Sequence, residues 1–102
     1  MEPQQNEGVL FEHRDFAENG RIRRLAISNY AVGTVHRLHQ LDFKDCLSSL
    51  KWKLDPGIVV TFYEDHDRGG RQYPISGEGA DADTHNHNFK DGASSFDWSR
   101  TQ

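Results

Sequence analysis

Residues 43–52 read FKDCLSSLKW and residues 89–98 read FKDGASSFDW, so one phrase occurs twice at a spacing of 46 residues. Each occurrence closes a stretch that opens with an apolar run ending in an aromatic and a glutamate, Phe11-Glu12 in the first and Tyr63-Glu64 in the second. Gly20-Arg21 then matches Gly70-Arg71, with two more residues ahead of the glycine in the first copy. The chain is 102 residues long, so two copies and the joint Asp55-Pro56-Gly57 nearly fill it. A unit of about 46 residues cannot bury its own apolar face, and two such units are expected to pack around one shared core. Trp52 and Trp98 should then hold equivalent places related by a pseudo-twofold axis.

Alternation decides the secondary structure. In Leu50-Lys51-Trp52-Lys53-Leu54 the apolar residues take every second position, which predicts a half-buried strand with its lysines toward water. Ile58 to Tyr63 is β-branched and aromatic between turn-forming stretches, and also reads as a strand. Gly8 to Glu12, Gly20 to Ile27, Gly70 to Ile75 and Ser94 to Trp98 complete the set. Asn29 to Leu41 is the one patch with a helical pattern, interrupted by Gly33 and two β-branched residues. Gly77-Glu78-Gly79 reads as turn glycine. Short strands in repeated units with long returns predict Greek keys, and hence an all-β two-sheet sandwich. With only 34% hydrophobic residues the core must rest on large side chains. The candidates are Phe11, Phe16, Phe43, Trp52, Phe62, Tyr63, Tyr73, Phe89, Phe96 and Trp98.

Charge narrows the partners. The net charge of −4 argues against a general nucleic-acid binder. Residues 1–54 hold eight Lys+Arg against seven Asp+Glu, whereas residues 55–102 hold four against nine, so the second half favours a cation. Cys46 is the single cysteine and cannot form an internal disulfide, which leaves packing, hydrogen bonds or a bound ion to stabilise the fold. No apolar run approaches the ~20 residues of a membrane span, and MEPQQNEG has no signal-peptide pattern, so a cytoplasmic monomer is expected, with no membrane contact.

The stretch VTFYEDHDRGGRQYPI (60–75) followed by FKDGASSFDW resembles a βγ-crystallin Greek-key motif, and the first half resembles a second, looser copy. The resemblance covers about residues 8–100, as motif one (8–54) and motif two (58–100) behind a polar tail (1–7). Tyr63, Glu64, Asp65 and Gly70 keep the family's hairpin opening, with Arg68 where its second aromatic belongs; in the first copy Phe11, Glu12 and Phe16 are kept and the glycine comes late, at Gly20. In microbial members the closing phrase is a calcium signature. The resemblance therefore implies up to two calcium ions, held by the side chains of Asp45 and Ser48 in one copy and of Asp91 and Ser94 in the other. The carbonyls of Cys46, Gly92, Glu12 and Glu64 would add to them, each site drawing on both copies. Calcium accepts such a mixture of carboxylate, hydroxyl and carbonyl oxygens, and one carboxylate per site implies a dissociation constant of about 10⁻⁶ to 10⁻³ M.

Lys44 and Lys90 stand where the signature has its first Asn or Asp. An ammonium 4 Å from the ion would oppose it by about 1–4 kcal/mol, unless the long stem swings outward. Two readings follow: a calcium-binding structural module, or a metal-independent interaction or inhibitor-like module in which Asp45 and Asp91 only make turn bonds. Neither is an enzyme. The serines, imagined as nucleophiles with His13 or His66 as base, lack the setting of a nucleophile elbow, and His85-Asn86-His87 lacks further ligands at zinc spacing. Arg21-Ile22-Arg23-Arg24 reads as a guarded strand edge rather than an anion site.

Overall fold

A computed structural model describes residues 2–43, 47–65, 67–84 and 93–100. Among these the chain forms eight strands: β1 (Glu7–Phe11), β2 (Ile22–Ala26), β3 (His36–Arg37), β4 (Ser49–Lys53), β5 (Ile58–Tyr63), β6 (Gln72–Ser76), β7 (Glu78–Asp81) and β8 (Ser95–Arg100). They make two four-stranded antiparallel sheets, in the orders β2-β1-β4-β7 and β3-β8-β5-β6. Each sheet takes three strands from one copy and its fourth from the other. Neither copy is complete alone, which is what their size required.

Alternation builds the core between the sheets. Leu10, Leu25, Leu50, Val60, Phe62, Ile75, Phe96 and Trp98 point inward, and Phe43, Phe62 and Phe96 are fully buried. Phe89 lies outside the described residues. Pro74 sits in β6, at the edge of its sheet, where its missing N–H leaves no ladder partner unsatisfied. The Asn29–Leu41 patch forms no α-helix; it supplies β3 and a 3₁₀ turn at Leu38–Leu41. Glu78 and Gly79, expected in a turn, begin β7, and the turn is confined to Gly77 at φ +65°. A Cβ on Gly79 would lie 2.7 Å from the Trp52 ring, so the glycine lets that indole lie across the strand.

The outward faces are less wet than alternation suggests. Lys51 is only 18% exposed, because the 3₁₀ turn Arg14–Phe16 folds over the sheet and the ammonium sits 4.8 Å from the Phe16 ring centre. Beneath that turn Val9 and Phe11 are fully buried on the face opposite Leu10.

The two sheets are also joined by a polar bond, from the Tyr73 hydroxyl on β6 to the Asp81 carboxylate on β7. Burial, and then Asp81, push the Tyr73 phenol well above its ordinary value of 10.0. A tyrosine whose folded pKa is raised contributes stability fully below its unfolded pKa and loses it as pH rises beyond that point. Stability should therefore begin to fall near pH 10. Denaturant titrations of the parent and Tyr73→Phe between pH 8 and 11 check this: the variant should be less stable at pH 8 and show a shallower decline, and parallel curves would exclude the bond as the cause.

Candidate metal centre

The described ends of the two closing phrases make reciprocal contacts. The Ser48 N–H donates to Phe11 O (3.0 Å) and the Ser94 N–H to Tyr63 O (2.9 Å). Each serine carbonyl then accepts from the other copy, Ser48 O from Thr84 N–H and Ser94 O from Leu38 N–H, both at 2.9 Å. The indoles reciprocate as well: Trp52 Nε1 donates to Ser76 O and Trp98 Nε1 to Tyr30 O, both at 2.9 Å. Thr84 and Leu38 were not among the candidate residues. They stand 46 residues apart (84 minus 38), as the two phrases do, and that offset is the signal that would have found them.

The second serine of each pair is committed to the hairpin. Ser49 Oγ donates to His13 O at 2.6 Å and accepts from Phe16 N–H at 3.1 Å, and Ser95 Oγ donates to Asp65 O. Both serines are fully buried. Glu12 and Glu64 hold the same hairpins closed: each N–H donates at 3.0 Å to the carbonyl of Arg21 or Arg71, and each carboxylate accepts the N–H of that arginine, at 2.8 Å and a long 3.5 Å. Gly70, at φ +74°, leaves room for Glu64, since a Cβ there would meet its carboxylate at 2.7 Å.

The main-chain carbonyls of Glu12 and Glu64 differ from their carboxylates. Among the described residues, nothing donates to either carbonyl or to the Ser48 hydroxyl. Ser48 is partly exposed, one hydrogen bond away from the residue before Glu12, and Ser94 is buried in the same relation to Glu64. Asp45, Cys46, Asp91 and Gly92, with Lys44 and Lys90, lie outside the described residues. No group of three His, Cys, Asp or Glu side chains that could hold a metal occurs among the described residues.

Arg68, standing where the family has its second aromatic, keeps the backbone conformation of that position. Phe16 (φ +58°) and Arg68 (φ +67°) both adopt the left-handed conformation that side chains rarely take. In copy one Phe16 packs edge-on against Phe11 at 5.7 Å, under Lys51. In copy two Arg68 bonds Asp97 at 2.6 Å and Gly33 O at 2.7 Å, while Tyr63 donates to Asp97. Asp97 stands where copy one has Lys51, so the exchanged partners match. Burial of the phenol, and then the Asp97 charge, raise the Tyr63 pKa.

No family model and no curated protein matches the sequence. Solved structures match it over nearly its whole length. A domain from work on the evolution of the eye-lens βγ-crystallin fold superposes with a TM-score of 0.75 at 19% identity, covering 100% of this chain and 93% of that one. The fold is that of a βγ-crystallin domain. Spherulin 3a of Physarum polycephalum matches with a TM-score of 0.65 at 19% identity (100% and 90% covered). A βγ-crystallin domain of the Abundant Perithecial Protein of Neurospora crassa, solved in a Ca²⁺-bound form, matches at 0.60 and 16% (100% and 94%). In this βγ-crystallin fold the described ends of the two closing phrases lie beside the crossings where each copy lends a strand to the other. No helix among the described residues is long and apolar enough to cross a membrane.

Proposed function

We propose that residues 8–100 form a monomeric, non-catalytic structural module that binds calcium at two sites, one per closing phrase, in the cytoplasm. The observation that carries this reading is the set of unengaged oxygens: the Glu12 and Glu64 carbonyls and the Ser48 hydroxyl accept nothing among the described residues, although their neighbours are all tied into hairpins. Hard, uncharged oxygens in that state suit a cation that takes six to eight oxygen ligands. Motif one (8–54) would contribute Asp45 and Ser48, and motif two (58–100) Asp91 and Ser94, with the carbonyls of Cys46, Gly92, Glu12 and Glu64 and with water completing the shells. The calcium-bound Neurospora domain lends the same support from a neighbour of like fold. The ion would supply charge and cross-linking between segments far apart in sequence, and no chemistry.

Calorimetric titration of the metal-stripped protein with calcium tests the reading, with two ions expected. Ser48→Arg should reduce the count to one, since a guanidinium replaces the hydroxyl in a partly exposed position. Ser94 is buried, so arginine would overpack it and Ser94→Ala is the matching change. Unaltered titrations of both variants would overturn the ligand assignment. Absence of heat in the parent would leave the metal-independent interaction module, with Lys44 and Lys90 in place of the ions.

A further inference from the structure

The opening hairpin is longer in copy one than in copy two. Between Phe16 and Gly20 stand Ala17, Glu18 and Asn19, where copy two has Gly69 alone between Arg68 and Gly70. Asn19 is exposed, and neither Asn19 nor Gly20 makes a hydrogen bond among the described residues. The fold also keeps position 20 small: a Cβ there would meet the His13 ring at 2.6 Å and the Glu12 carboxylate at 2.9 Å, so a side chain would have to displace both. The backbone nitrogen that follows Asn19 is therefore unhindered as well as unpaired. The other described asparagines serve as controls. Asn6 is held at both ends of its side-chain amide by Asp55, at 2.9 and 2.8 Å, and the nitrogen after Asn29 is engaged, because the Tyr30 N–H donates to Ile27 O at 3.0 Å.

We infer that Asn19 is a site of spontaneous deamidation and isomerisation, and that the change loosens the hairpin of motif one. The Gly20 nitrogen bonds to Asn19 Cγ as its proton passes to water; the Cγ–Nδ2 bond breaks, and the nitrogen leaves as ammonia with a proton returned from water. Water then opens the cyclic imide. Addition at Cγ leaves aspartate, and addition at the main-chain carbonyl leaves isoaspartate, whose backbone runs on through Cβ and Cγ and is one atom longer. One water enters and one ammonia leaves, with no oxidant or reductant. The residue after Gly20 is Arg21, whose N–H donates to the Glu12 carboxylate at 2.8 Å and whose carbonyl accepts the Glu12 N–H at 3.0 Å. A backbone lengthened just ahead of that pair shifts Arg21 against Glu12, and the new carboxylate follows directly on Glu18. The reaction uses none of the oxygens assigned to calcium and stands independently of that reading.

The test incubates the purified protein in chelator, near neutral pH and body temperature, and follows it by peptide mapping with mass spectrometry. Asn19 should lose its amide at least about tenfold faster than Asn6 or Asn29. The product should accept methyl groups from an isoaspartate-specific methyltransferase, which an aspartate formed there would not. The melting midpoint of the converted protein should fall by roughly 4–8 °C, the worth of one net hydrogen bond in a chain of 102 residues. Asn19→Asp, which adds the charge without lengthening the backbone, should melt close to the fresh parent. Asn19→Ser cannot cyclise and should melt alike before and after incubation. The proposal is overturned if Asn19 loses its amide no faster than Asn29, if the product is aspartate alone, if the converted protein melts with the fresh parent, or if Asn19→Ser loses as much on incubation as the parent does.

Discussion

Calcium at a hundred times its dissociation constant should raise the melting midpoint by on the order of 10 °C over the midpoint in chelator. One site saturated to that degree adds about 2.7 kcal/mol to the folded state. For a chain of 102 residues each kcal/mol moves the midpoint by roughly 4–8 °C, and a second independent site would roughly double the gain. The effect is large because Ser48 and Ser94 lie where copy one and copy two meet, so an ion there would tie together segments that separate on unfolding. Magnesium should do much less, since it holds its waters tightly and demands a smaller octahedral cage. Thermal melts in chelator, millimolar calcium and millimolar magnesium decide the matter. Three superimposable curves would remove calcium from the account of this domain.

The sheets were legible because inward residues announce themselves. Leu50-Lys51-Trp52-Lys53-Leu54 and Ile58–Tyr63 carry the period of a strand in their side chains, and the structure forms β4 and β5 there. The lent strands carry no such mark. β7 is Glu78-Gly79-Ala80-Asp81, without a β-branched or aromatic residue, and it is a strand because β4 supplies a ladder and Trp52 needs the space over Gly79. β3 has only two residues, held by Phe96 and Ser95. Both are products of tertiary pairing that local propensity does not record.

The hairpins show the same division. Arg68 reads as a lost aromatic when copy two is viewed alone. Its partner Asp97 lies 29 residues away, in the position Lys51 holds in copy one, so the compensation becomes visible only when both copies are laid over each other at once. For the candidate site, the resemblance to βγ-crystallin motifs pointed to Ser48, Ser94, Glu12 and Glu64. Only the backbone could separate the Glu12 and Glu64 carboxylates, which are spent on Arg21 and Arg71, from carbonyls left without a donor.

Equivalence of the two tryptophans in bonding does not make them equal in energy. Trp98 is 6% exposed and Trp52 only partly buried, although each donates its indole N–H to a carbonyl of the opposite copy at 2.9 Å. Trp98→Ala should destabilise the domain by about 3–5 kcal/mol, through the cavity left beside Phe96 and through the unpaired Tyr30 carbonyl. That corresponds to a fall in the melting midpoint of roughly 12–40 °C. Trp52→Ala removes the same hydrogen bond but less burial, because Trp52 sits at the margin of the core and not inside it, so its loss should be smaller. Denaturant unfolding of both variants, read by circular dichroism because each lacks one of the two tryptophan fluorophores, measures the difference. Equal losses would mean that the two indoles are buried alike in solution and that the difference in their exposure carries no energy.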